Sequence, residues 1–280
     1  MKNIFYNKDN IVLYNEDCFD VMSKFLDNSF DMIFADPPYF LSNGSFTCKN
    51  GKMVSVKKGD WDLGKDIEEN FNFHLNWLKE CRRILKPNGT LWVSGTYHSI
   101  YQCGFALQLL GYHILNDIAW LKPNASPNLS CRFFTASHET LIWARKDKNS
   151  KHTFNYETIK NWENNYKKEI RCSCCGKTDK YEILHKKGNQ MRSVWAITTP
   201  KKEEKQFGKH PTQKSLELLK RIVVASSNEN DLILDPFAGS CTTAVACKLY
   251  NRKFVGIDIN SKYLEIGKQR IDNIGKYYEK

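Results

Sequence analysis

Met32-Ile33-Phe34-Ala35-Asp36-Pro37-Pro38-Tyr39 is the stretch that decides the fold: four apolar residues, a carboxylate, two prolines and an aromatic ring. The apolar run reads as a buried strand. It stops abruptly, because proline donates nothing to a strand ladder and stiffens the chain. Asp36 to Tyr39 therefore belong at a strand's carboxyl end, where open α/β sheets bind ligands. A plain strand exit with a capping Asp and a packing Tyr would use the same letters, so the flanking sequence has to choose between them.

The residue types suit one reaction, methylation of the exocyclic amino group of a nucleobase. That nitrogen's lone pair is delocalised into the ring, and it attacks poorly until acceptors grip its N–H bonds. Asp36 offers a carboxylate acceptor, the Pro37 carbonyl a second, and Tyr39 a flat ring for an extruded base to stack on.

Working outward, residues 10–14 form a short strand, Asp17 and Cys18 stand at its exit, and residues 19–26 are amphipathic. Residues 40–58 carry Gly, Ser, Asn and Lys with no period; a structureless loop of this length is usually functional, and it is expected to close over substrate. Ile67, Phe71, Leu75, Leu78, Cys81 and Leu85 step by three or four, which predicts a helix over 66–85 that Lys86-Pro87-Asn88-Gly89 stops. A strand over 90–95, a helix over 97–110 and extended runs at 114–121 and 140–144 follow, with a proline-stiffened loop at 122–128 that could sit near the crevice. Alternation of strand and helix argues for a parallel sheet.

The second half of the site begins at His210-Pro211-Thr212-Gln213-Lys214-Ser215, which opens a helix whose free N–H groups suit a carboxylate ligand. An apolar strand at 231–235 then runs into Pro236-Phe237-Ala238-Gly239-Ser240-Cys241-Thr242-Thr243, a helix, a strand at 254–257 and Asp258 at its end. Strand, glycine turn, helix, strand and terminal acid is nucleotide-binding logic, the acid accepting from ribose hydroxyls. Gly-x-Gly-x-x-Gly is absent, which an adenosyl group without pyrophosphate would not need. Residues 261–278 read as a closing helix.

The chain has 280 residues, enough for one large α/β domain with insertions, and no apolar run long enough to span a membrane. With no signal-peptide core at the start and ten scattered cysteines, it reads as a cytoplasmic protein with reduced thiols. The net charge is +11, and residues 145–214 hold 18 Lys/Arg against 8 Asp/Glu, so one contiguous quarter of the chain carries nearly all the excess. That is the footprint of a phosphate-contacting surface. Within it Cys172, Cys174, Cys175 and His185 begin a zinc knuckle without its second ligand pair, and free thiols with no metal are the expectation. Methylation at cytosine carbon 5 is disfavoured, since no thiol flanks Asp36.

Together Asp-Pro-Pro-Tyr-Phe at 36–40, Leu-Lys-Pro-Asn-Gly-Thr at 85–90, His-Pro-Thr-Gln-Lys at 210–214 and Asp-Pro-Phe-Ala-Gly-Ser at 235–240 resemble the beta class of amino methyltransferases that modify DNA in restriction-modification systems. The resemblance covers nearly the whole chain. It implies a Rossmann-like α/β fold dependent on S-adenosylmethionine, with circularly permuted motifs: a catalytic half at 1–144, an inserted basic recognition region at 145–209 and a cofactor half at 210–280. By that likeness Asp36, Pro37 and Tyr39 are catalytic. Asp258 takes the ribose hydroxyls, Asp17 and Cys18 the adenine edge, Phe237, Gly239 and Ser240 the body of the cofactor, and Thr212 and Lys214 its methionine end, with Asp36, Asp235 and Thr242 also at the cofactor.

Asp before Pro-Pro-Tyr looks like the adenine-N6 enzymes more than the cytosine-N4 ones. Residues 58–62 and 127–132 look like methyltransferases acting on GATC, with GANTC next. The implied partners are DNA, double-stranded or alternatively single-stranded, a second copy of the chain, and a companion endonuclease linked in function rather than contact. Two departures stand out: Cys241 where the family usually has Gly, and the insertion at 172–187. The alternative readings are a cytosine-N4 DNA methyltransferase and a nucleic-acid binder that kept the fold without turnover.

Overall fold

The computed structural model describes residues 4–40, 46–49, 52–55, 66–125, 128–164, 166–171, 174–183, 185 and 187–278. The chain opens with a hairpin of β1 (Ile4–Lys8) and β2 (Ile11–Tyr14) whose first strand the sequence pattern does not announce. Asp9 and Asn10 turn it at φ 52° and 64°, the left-handed pair that a two-residue hairpin loop requires. There follow α1 (Cys18–Met22), β3 (Phe30–Ala35), β4 (Phe46–Lys49), β5 (Lys52–Ser55), α2 (Ile67–Ile84), β6 (Leu85–Gly95), α3 (Ile100–Leu109), β7 (His113–Leu121) and β8 (His138–Arg145). The second half adds α4 (Tyr156–Ile159), β9 (Tyr166–Arg171), β10 (Thr178–Ile183), β11 (Val194–Ala196), α5 (Leu216–Ser226), β12 (Leu232–Asp235), α6 (Thr242–Leu249), β13 (Lys253–Ile257), α7 (Ser261–Asp272) and α8 (Ile274–Tyr277).

Nine strands make one sheet in the order β1-β2-β13-β12-β3-β6-β8-β7-β11. Its centre, from β2 to β6, is parallel, and helices cover both faces, which is why β3 is apolar on either side: Met32 and Phe34 enter one core cluster, Ile33 and Ala35 the other. From β3 the chain crosses through α2 to β6; from β12 it crosses through α6 to β13, in the opposite direction. Adjacent strands that send the chain apart leave a crevice at their carboxyl ends. Leu234 pairs with Ile33, so the exits at Asp235 and Asp36 are neighbours.

The helix expected over 66–85 is α2, with Asp66 Oδ1 accepting from Glu69 N at 2.7 Å and Arg82 and Arg83 in its last turn, both suited to the helix dipole. Other expectations need correcting. The sheet is not all parallel: β8 runs antiparallel to both β6 and β7, because the described residues between β7 and β8 supply no crossover helix and two strands joined by a loop pair head to tail. The run 40–58 is not wholly structureless, since β4 and β5 pair within it; residues 41–45, 50–51 and 56–65 lie outside the described residues, and with them the expected closure over substrate and the stretch 58–62. The closing helix breaks at Asn273.

The basic stretch 145–209 is stitched to the sheet rather than appended. β11 adds parallel to β7 with Trp195 against Trp120, Arg221 lies over the Trp195 ring at 5.0 Å, and Asn155 Nδ2 donates to the Val224 and Ser227 carbonyls at 2.8 and 2.9 Å. Lys148, Lys151, Lys187, Arg192, Lys201, Lys202 and Lys209 remain exposed.

Candidate active site

Asp36 leaves β3 and meets two buried donors. Tyr39 Oη donates to Oδ1 at 2.6 Å, and Lys214 Nζ, from the segment before α5, donates to Oδ2 at 2.5 Å. Behind them stand Ser94 of β6, 3.4 Å from Tyr39 Oη, and Glu139 of β8, whose Oε2 is 3.5 Å from Tyr39 Oη and 3.8 Å from Lys214 Nζ. Lys122 pairs with the other oxygen of Glu139. Burial works against the Lys214 ammonium, yet the Asp36 and Glu139 carboxylates hold its pKa above the ordinary lysine value. Burial and the same two carboxylates push the Tyr39 phenol far above its usual range, so it stays a donor. Tyr39 differs here from the open platform expected of it: the residue is 4% exposed and its hydroxyl is engaged.

A cavity of about 240 Å³ opens beside Asp36, walled by Asp17, Cys18, Pro37, Tyr39, Thr212, Phe237, Gly239 and Asp258 among others. A smaller recess shares Asp36, Thr212, Phe237 and Gly239 and adds Lys214, Asp235, Ser240 and Thr242. All thirteen residues singled out from the sequence thus line these two adjoining cavities, drawn from the β2, β3, β12 and β13 exits and from the segment before α5. Asp17 caps α1, accepting from Phe19 N at 2.8 Å, and Cys18 behind it is a neutral thiol that burial raises to about 12.

Asp235 and Asp258 do different work although both end strands. The Asp235 oxygens accept from Phe237 N at 3.0 Å and Thr243 Oγ1 at 2.6 Å; burial lifts its pKa to about 7, and the carboxyl shapes the turn. Asp258 accepts from Gly239 N and Asn260 N, each at 2.8 Å. Burial raises its pKa while those two N–H groups pull it back. A carboxylate offers about four acceptor directions, which leaves Asp258 room for a vicinal pair of hydroxyls in the cavity. Gly239 sits at φ 51°, and a Cβ there would lie 3.1 Å from His210 Nε2, so glycine both permits the turn and keeps the wall thin.

Cys241 takes the left-handed conformation, φ 57°, which explains why glycine would be comfortable there. Its side chain is fully buried and turns away from the cavity toward α7, where Gly267 makes room: a Cβ on Gly267 would fall 2.3 Å from Cys241 Sγ. Gly267→Ala is therefore expected to destabilise the protein by about 1–3 kcal/mol through overpacking. Adding Cys241→Gly should recover most of the loss in a urea titration; an additive double mutant would show that the two positions do not compensate.

Residues of the site that the sequence motifs do not mark are Phe73 and Tyr263 in the cavity wall, Ser94, and the Glu139–Lys122 pair. Phe73 and Phe237 pack with ring centroids 6.2 Å apart, and Trp77 meets Phe237 edge-on at 5.5 Å. Phe73 carries no motif of its own. Cys172 lies outside the described residues; Cys174 and Cys175 are exposed, His185 lies 2.9 Å from the Lys160 carbonyl, and no group of three metal-ligating side chains exists among the described residues. No described helix is long and apolar enough to cross a membrane.

Comparison with known proteins adds three findings. A family profile described as DNA methylase matches residues 30–269. Over 278 residues the chain is 47% identical to the Type II methyltransferase M2.LlaDCHI of Lactococcus lactis subsp. cremoris, covering 99% of this chain and 95% of that one; over 273 residues it is 46% identical to the Type II methyltransferase M2.DpnII of Streptococcus pneumoniae, covering 97% and 93%. Among solved structures, the M1.HpyAVI–SAM complex superimposes with a TM-score of 0.65 at 27% identity, covering 94% of this chain and 99% of that one.

Proposed function

Since this chain belongs to the DNA methylase family, we propose that its crevice transfers a methyl group to the N6 amino group of adenine, with GATC as the target sequence. The chain is a site-specific DNA methyltransferase of the restriction-modification kind, and S-adenosylmethionine is its methyl donor. The observation that carries the reading of this crevice as the methyl-transfer site is that Asp36, at the end of β3, shares one cavity with Phe237, Gly239 and Asp258 from the neighbouring strand exits.

These residues fit the donor. Asp258 has acceptor capacity for ribose hydroxyls, Phe237 offers an apolar face, and Asp17 lines the same cavity. When bound, S-adenosylmethionine supplies a methyl group on a sulfonium, a good leaving group. The chain's own part is alignment and electrostatics. Asp36 holds one amino N–H, and the Pro37 carbonyl holds the other. Both draw the nitrogen lone pair out of conjugation. Asp36 is also the nearest base for the proton that the methylated nitrogen sheds. Asp before Pro-Pro-Tyr favours adenine, and Asn128 to Arg132, in the loop between β7 and β8, belong to the segment that looks like GATC enzymes. Mapping methylated bases in DNA from cells expressing the chain tests this: methylation at GATC adenines is expected, and methylation confined to another sequence would refute the target.

The basic stretch 145–209 serves in this reading as the DNA-contacting region. Lys201→Glu with Lys202→Glu is expected to weaken binding to all duplexes alike and to flatten the salt dependence, by about 0.9 in the log–log slope for each phosphate no longer engaged. Fluorescence anisotropy at several salt concentrations checks it; an unchanged slope would place the DNA-binding surface elsewhere.

A further inference from the structure

The two donors on Asp36 have a second acceptor within reach. Tyr39 Oη is 2.6 Å from Asp36 Oδ1 and 3.5 Å from Glu139 Oε2; Lys214 Nζ is 2.5 Å from Asp36 Oδ2 and 3.8 Å from the same Glu139 oxygen. Small movements therefore separate a state in which Asp36 is capped from one in which Glu139 takes the caps. The Glu139 side chain is only 12% exposed; Lys122, just beyond β7, pairs with its Oε1, and Oε2 faces Tyr39 and Lys214. Ser94, fully buried, closes the far side of the Tyr39 hydroxyl.

An amino group arriving at Asp36 competes with donors already there. Two charge-assisted hydrogen bonds tie up the carboxylate, and a carboxylate that gives electron density to a phenol and an ammonium has less to give to an amine. We propose that Glu139 is a positioning residue for methyl transfer: it receives the Tyr39 hydroxyl, and shares the Lys214 ammonium, as the amino group docks, so that Asp36 meets the substrate with its full acceptor strength. No proton changes hands in this exchange. Tyr39 and Lys214 keep theirs, and only the hydrogen-bond partner changes. The pair Lys122–Glu139 also ties the stem of the 122–137 loop to the acceptor carboxylate, since Lys122 N donates to Ser137 O at 2.7 Å. A shift of that loop on DNA would thereby reach Asp36 through one side chain.

This inference rests on the reading of Asp36 as the amino-group acceptor, and the test separates the two. Single-turnover methyl transfer is measured on unmethylated duplex DNA with saturating S-adenosylmethionine, for the wild type, Asp36→Ala, Glu139→Gln and Glu139→Gln/Tyr39→Phe. Glu139→Gln keeps the shape and weakens the acceptor, and folding is checked by its S-adenosylmethionine affinity, expected within about threefold of wild type. Its transfer rate should fall about tenfold, the value of one charged hydrogen bond. Tyr39→Phe, which keeps the ring but removes a cap from Asp36, should then restore several-fold of the loss, a response that a merely structural Glu139 would not give. Should Glu139→Gln fold poorly, Glu139→Asp with the same Tyr39→Phe pairing reads the same recovery. A Glu139→Gln rate equal to wild type, or a loss that Tyr39→Phe deepens, overturns the exchange while an inactive Asp36→Ala leaves the acceptor assignment standing. An active Asp36→Ala overturns both.

Discussion

Replacing Asp36 with alanine is expected to lower kcat by about two to three orders of magnitude, the cost of removing one preorganised hydrogen-bonding group from a transition state, while duplex affinity changes little. The asymmetry follows from where Asp36 sits. It lies at the bottom of the crevice against Tyr39 and Lys214, away from the exposed lysines of 145–209 that meet phosphates in the proposed reading. Asp36→Asn should fall almost as far, because an amide keeps the shape and half the acceptor character but loses the charge. Labelled methyl incorporation reads kcat and anisotropy reads affinity; transfer near the wild-type rate would remove Asp36 from the chemistry.

The second large effect is on stability. Lys214 is 6% exposed and neutralises Asp36, with Glu139 nearby. Lys214→Met leaves the Asp36 carboxylate without its cation, while Glu139 keeps Lys122, and breaking a buried pair in this way costs roughly 3–5 kcal/mol, a fall in Tm on the order of 10 °C for a chain of this size. Because neighbouring carboxylates raise the folded pKa of Lys214, its contribution is whole below the ordinary lysine value near 10.4 and fades only as pH climbs through the raised one. The deficit should therefore be flat between about pH 6 and 9. Asp36→Asn added to Lys214→Met should recover part of it by removing one unpaired charge. A Lys214→Met protein that melts with the wild type would show the pair to be energetically idle.

The sequence makes some of this legible and hides the rest for identifiable reasons. Asp36-Pro37-Pro38 and the Gly239 turn announce themselves because proline and glycine restrict the backbone locally, and local rules survive without knowledge of the fold. The direction of β8 is different, since it depends on what joins it to β7, and the loop at 122–137 has no strong pattern. Asp9-Asn10 hid a hairpin because each residue takes a left-handed turn position usually announced by glycine. Lys214 could be tied to the crevice from its motif but not to a partner: its hydrogen bond to Asp36 joins residues 178 positions apart. Glu139, the second residue of β8, lies just ahead of the extended run 140–144 and carries no motif, and only the sheet order brings β8 beside β6 and so to Tyr39. Cys241 reads as a defect in isolation and becomes ordinary once Gly267 is seen to vacate its space.

The measurement that bears most directly on the crevice is transfer of labelled methyl from S-adenosylmethionine to unmethylated duplex DNA, followed by digestion to nucleosides and separation of the products. The proposed reading, with Asp36 as amino-group acceptor beside Phe237 and Asp258, predicts label in N6-methyladenine, lost in Asp36→Ala. Label in N4-methylcytosine, or none in duplex or single-stranded DNA from a chain that binds both S-adenosylmethionine and DNA, would contradict it.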